Sequence, residues 1–129
     1  MITRSLSRII FGGSLSLALL FVASLMGGAS AVAAPACPST LCVWEHHSFQ
    51  GRRIDFGHVL QERSMKNRVI GSHATMNDRI SSFVSNHGGN LCFYEHEDFR
   101  GLEFRIGPRE SWGSMPRWIN DKISSFRAC

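Results

Sequence analysis

The sequence has no CxxC pair, no HExxH, no GxSxG and no glycine-rich phosphate loop. Without CxxC spacing, four cysteines make a poor zinc site. Without HExxH, the six histidines (His46, His47, His58, His73, His87, His96) do not read as a metalloprotease centre. His46 and His47 are adjacent on a presumed strand, so they point to opposite faces and do not share an ion. The missing nucleophile elbow and phosphate loop remove the common hydrolase and nucleotide-dependent readings. Ser, His and Asp occur only scattered, and no enzyme is expected. A clustered basic face is also lacking, which argues against a nucleic-acid partner.

Long apolar runs are nearly absent too. The one that exists, Leu15 to Met26, is interrupted and too short to favour a spanning helix. Arg4 and Arg8 precede it, and Ala31-Val32-Ala33 follows, an A-x-A cleavage signature. Residues 1–33 are therefore expected to be a secretory signal peptide. The exported domain would be residues 34–129, free of the membrane after cleavage. Of the 14 Lys and Arg, Arg4 and Arg8 lie in the leader, which leaves 12 against 10 Asp and Glu, a net of +2.

All four cysteines (Cys37, Cys42, Cys92, Cys129) fall in the exported part. An even count in an oxidising compartment implies two disulfides, useful to a small domain with a limited core. Three pairings exist. Cys37–Cys42 with Cys92–Cys129 is favoured, because the first two flank a Pro-Ser-Thr turn and the last would tie the chain's final residue to an internal strand.

What the sequence has instead is a repeat. Asn77-Asp78-Arg79-Ile80-Ser81-Ser82-Phe83 recurs as Asn120-Asp121-Lys122-Ile123-Ser124-Ser125-Phe126. Upstream, Leu41-Cys42-Val43-Trp44-Glu45-His46-His47-Ser48-Phe49-Gln50-Gly51 aligns at an offset of 50 with Leu91-Cys92-Phe93-Tyr94-Glu95-His96-Glu97-Asp98-Phe99-Arg100-Gly101. Two units follow, 41–86 and 91–129, with the linker at His87-Gly88-Gly89-Asn90. Arg52, Ile54 and Phe56 alternate with Arg53 and Asp55, and Leu102, Phe104 and Ile106 with Glu103 and Arg105, a period of two that marks half-buried strands. Ile80–Val84 and Ile123–Arg127 read as closing strands, and a short helical turn is expected between His58 and Met76. Gly51 and Gly101 are placed where a hairpin needs positive φ. The fold class is all-β, a two-sheet Greek-key sandwich.

An aromatic followed by x-x-x-x-Phe-x-Gly, closed by Asn/Asp-Asn/Asp-x-x-Ser/Thr-Ser, resembles the βγ-crystallin motif, complete in both copies. With the leader and the cysteines, the chain resembles the small secreted actinobacterial metalloproteinase inhibitors of peptidase inhibitor family I36. That resemblance implies a monomeric, extracellular inhibitor of zinc metalloproteases of thermolysin type. The same scaffold also carries calcium-binding structural or stress modules and killer-toxin-like antimicrobial proteins.

The resemblance further implies two calcium sites, each clamped by both units, since one packet cannot supply six to eight oxygens. One would take the carbonyls of His47 and Arg79, Ser81 Oγ, and Asn120 or Asp121. The other would take the carbonyls of Glu97 and Lys122, Ser124 Oγ, and Asn77 or Asp78. Arg79 and Lys122 are cations beside a cation site and would weaken it. The same packets would also serve as plain structural turns. For inhibition, the resemblance implies a reactive bond at Cys92–Phe93, held extended by the disulfide, with Phe93 as the large apolar residue a thermolysin-type enzyme prefers; the residues alone read Phe93 as a core strand residue, like Val43 in the first copy. Trp44, Trp112, Trp118 and Arg117 stand as an exposed patch or, more commonly for large aromatics, as core.

Overall fold

The computed structural model describes residues 32–129, so the expected leader lies, except for its last two residues, outside the described residues. Eight strands follow: β1 (Leu41–His46), β2 (Gln50–Asp55), β3 (Gln61–Glu62), β4 (Ser82–Ser85), β5 (Leu91–His96), β6 (Arg100–Ile106), β7 (Ser111–Trp112) and β8 (Ser125–Ala128). They form two four-stranded sheets, ordered β2-β1-β4-β7 and β3-β8-β5-β6. Every pairing is antiparallel. Each sheet thus holds three strands of one half and borrows its fourth from the other. Gln61 pairs with Arg127, and Trp112 with Phe83.

Alternation along β1 and β5 explains the layering. Leu41, Val43, Leu91 and Phe93 turn into the space between the sheets, where they meet Phe83, Phe126, Ile80, Ile123 and Ile106, all buried. Their neighbours Cys42 and Trp44 turn outward, where Val84, Cys37 and Phe49 cover them in a second, smaller cluster. In the opposite half Phe99 stands against Tyr94 at 5.9 Å, as Phe49 does against Trp44 at 5.4 Å. Rings in edge-on contact bury large area with favourable quadrupole geometry.

The closing strands begin at Ser82 and Ser125, two residues later than the sequence pattern suggested. Ile80 and Ile123 spend their carbonyls across the molecule instead, accepting from the N–H groups of Asp121 and Asp78 at 3.2 and 3.1 Å. The short helical turn is a 3-10 turn at Met65–Asn67, whose Ser64 hydroxyl caps Lys66 N–H. The disulfides are Cys37–Cys42 and Cys92–Cys129. Among the described residues, no helix is long and apolar enough to cross a membrane.

Candidate functional site

Each half carries the same local device. After β1 and β5 a 3-10 turn, His47–Phe49 or Glu97–Phe99, reverses the chain. Gly51 and Gly101 follow at φ +80° and +82°, pressed beneath the rings of His46 and His96. A Cβ at either glycine would sit 2.7 Å from the ring Cδ2, so glycine is required on conformational and steric grounds. The last serine of each packet holds this hairpin down. Ser82 Oγ donates to His46 O and accepts from Phe49 N–H, and Ser125 Oγ does the same with His96 O and Phe99 N–H.

The repeated packet therefore divides its labour. Ile and Phe fill the core, the second Ser fastens the hairpin, and the remaining polar groups meet their counterparts from the other half. Ser81 Oγ donates to Asp121 Oδ1 at 3.0 Å, and Ser124 Oγ donates to Asp78 Oδ1 at 3.2 Å. Asp78 and Asp121 both have positive φ, 55° and 56°, a region Asp tolerates better than most residues. The arrangement has near-twofold symmetry, and it opens two clefts. One, of about 350 Å³, is lined by Glu45, His46, Asn77, Asp78, Arg79 and Asp121. The other, of about 330 Å³, is lined by Asp78, Glu95, His96, Asp121, Lys122 and Ser124.

Of the calcium ligands expected from sequence, the structure brings Asp121 to Ser81 and Asp78 to Ser124 by hydrogen bonds across the halves. Asn77 Oδ1 and Asn120 Oδ1 are instead buried atoms with no hydrogen-bond partner in the structure. Neither His47 nor Glu97 lines the clefts, where His46 and His96 stand instead. The His47 carbonyl closes its own turn by accepting from Gln50 N–H, and its ring Nδ1 lies 3.1 Å from Ser114 Oγ. Glu97 is paired with Lys66 at 2.6 Å. That pairing holds its carboxyl below the usual range and raises the lysine. Among the described residues, no three His, Cys, Asp or Glu side chains converge as a metal centre. The donors that do converge are hard oxygens, two aspartates lining both clefts and each bonded to a serine hydroxyl, a donor type that suits calcium with added carbonyls and water.

A charged cluster at the first cleft was not anticipated. Glu45 accepts from Arg52 Nη2 at 2.8 Å, Arg52 Nε at 3.0 Å and Arg79 Nη1 at 3.1 Å. The Arg52 hydrogen bonds pull the Glu45 carboxyl down to about 2, against the opposing effect of burial. A sequence signal existed: Leu102 occupies the aligned position of Arg52, so the pairing is missing from the second half.

The reactive-bond expectation meets a different obstacle. Cys92 and Phe93 are extended and disulfide-tied, but both are 0% exposed. They lie on β5, hydrogen-bonded between β6 and β8, with the Phe93 ring against Phe83, Phe104 and Phe126. A protease cleft reaches an exposed strand, so the folded sandwich does not present this bond as a substrate mimic. Trp44 is core, whereas Trp112 and Trp118 are exposed and stand edge-on to Phe104 at 5.3 and 5.7 Å.

Residues 30–106 match the model of peptidase inhibitor family I36. The chain belongs to that family. No curated protein matches the sequence. Among solved structures, the I36 chain resembles a βγ-crystallin domain from Flavobacterium johnsoniae, with TM-score 0.59 and 21% identity over 70% of this chain and 94% of that one. A βγ-crystallin from an archaeon is 28% identical, with TM-score 0.52 over 69% and 95% of the two chains. One from Ciona intestinalis gives 0.56 at 19% identity, over 69% and 98%. The I36 chain is thus a βγ-crystallin sandwich, with disulfides that suit an oxidising compartment.

Proposed function

We propose that this protein is a secreted, monomeric, non-catalytic inhibitor of an extracellular zinc metalloprotease of thermolysin type. The family match over residues 30–106 is the observation that carries the reading. A doubly bridged sandwich suits the task, since a rigid binder loses little entropy on docking. With Cys92–Phe93 inside the sheet, the contact falls to exposed apolar side chains nearby, Leu102, Trp112 and Trp118, which are 48%, 37% and 46% exposed. The test is titration of the purified, oxidised protein against a thermolysin-type protease in calcium buffer without chelators. Stoichiometric loss of proteolysis supports the reading, and full activity at large excess of the protein refutes it.

A second reading, a calcium-binding module, is favoured by the paired Ser81–Asp121 and Ser124–Asp78 contacts between the halves. In it Asp121, Ser81 and the Arg79 carbonyl would hold one ion, and Asp78, Ser124 and the Lys122 carbonyl another. A bound cation would offset the carboxylate charge gathered where the halves meet. Calorimetry and a calcium-dependent rise in melting temperature test it; absence of both refutes it.

A further inference from the structure

We propose that the two clefts are unequal cation sites, the one bordered by Glu95 and Lys122 binding calcium about tenfold more tightly than the one bordered by Glu45 and Arg79. This inference rests on the calcium-binding reading above. Near-twofold symmetry repeats the serine-to-aspartate contact between the halves, and Asp78 and Asp121 line both clefts, so each serves as the control for the other. What differs is the glutamate beside them. Glu45 is 9% exposed and takes three guanidinium contacts, two from Arg52 and one from Arg79. To turn toward a cation it would have to surrender charge-assisted hydrogen bonds, which are about twice as strong as neutral ones.

Glu95 has no such ties. Leu102 replaces Arg52, and its contribution is a backbone N–H donated to Glu95 Oε2 at 3.3 Å. Lys122, which replaces Arg79, forms no ion pair among the described residues and is exposed. It can swing into solvent, whereas Arg79 is fixed on Glu45. The first cleft therefore carries one extra positive charge and one committed carboxylate. At about 8 Å through a nearly water-like dielectric, one unmatched positive charge weakens a divalent ion by roughly a factor of ten.

Calcium calorimetry on the oxidised protein tests this with two pairs of variants. Ser81→Ala disables the first cleft and Ser124→Ala the second. Leu102→Arg and Arg52→Leu exchange the distinguishing charge. Leu102 is 48% exposed, so the arginine is placed without entering the core. The expected result is two phases, with Ser124→Ala removing the tighter and Ser81→Ala the weaker. Leu102→Arg should weaken the tighter phase about tenfold, and Arg52→Leu should strengthen the weaker. Two equal phases, or a tight phase lost in Ser81→Ala, overturn the inequality alone. No heat in any variant overturns the calcium-binding reading, and the inequality with it.

Discussion

Replacing Phe93 with alanine separates a structural from an inhibitory role for this residue. The ring is 0% exposed and packs at centroid distances of 5.4, 6.5 and 6.0 Å from Phe83, Phe104 and Phe126, on a strand paired along both edges. Emptying such a site typically costs about 3–5 kcal/mol, the transfer of the ring plus the cavity left behind. Whole domains are stable by about 5–15 kcal/mol, so this is a large share. At about 4–8 °C per kcal/mol for a domain of this size, the melting temperature should fall by at least 12 °C. Urea unfolding with the disulfides intact gives the free energy, and inhibition is then scored per folded molecule. The expected outcome is a badly destabilised variant whose folded fraction inhibits normally. A variant that melts within about 4 °C of the parent and has lost inhibition would refute the argument and return Phe93 to the contact surface.

Glu45→Gln should cost about 1–3 kcal/mol at neutral pH, because two arginines lose a charged acceptor. Glu45 has a folded pKa below its ordinary value, so its stabilisation is present above pH 4.5 and lost as pH falls toward about 2. The gap between parent and variant, followed by urea unfolding against pH, should close over that window; a constant gap refutes the ion-pair account. Removing Cys92–Cys129, which spans 37 residues, should cost about 4 kcal/mol, against about 2 for Cys37–Cys42, which spans 5. Equal losses in thermal melts would contradict the loop-closure account. Gly101→Ala should destabilise by more than about 1 kcal/mol, because it meets the His96 ring at positive φ; an unchanged melt refutes this. Trp118→Ser, on an exposed ring, should leave the melt unchanged and weaken protease inhibition; unaltered potency removes it from the contact surface.

Much of this was visible in the residues. The offset of 50 located β1, β5 and their paired hairpins, period-two alternation found β2 and β6, and the glycines marked positive φ. The exchange of β3 and β7 was not visible, because two-residue strands have no periodicity to detect. Arg52 shares the alternation of Ile54 and Phe56, yet it is exposed at the start of an edge strand and folds back on Glu45. The contact of Asp121 with Ser81 depends on how closely the halves approach, which no local pattern encodes. At Phe93 the repeat, which aligns it with Val43, pointed inward and the family resemblance outward, and burial sided with the repeat.

The traded third strands have a consequence for how such a chain comes to exist. Neither half is a self-sufficient folding unit: cut out alone, each would leave one sheet a strand short and its core open on one side. Two identical copies, each lending that strand to the other, would close the same sandwich. The present chain has the plan of a strand-swapped homodimer joined end to end by His87-Gly88-Gly89-Asn90. Duplication and fusion would then have removed the concentration dependence of assembly and released the two halves to diverge, one keeping arginine where the other has leucine.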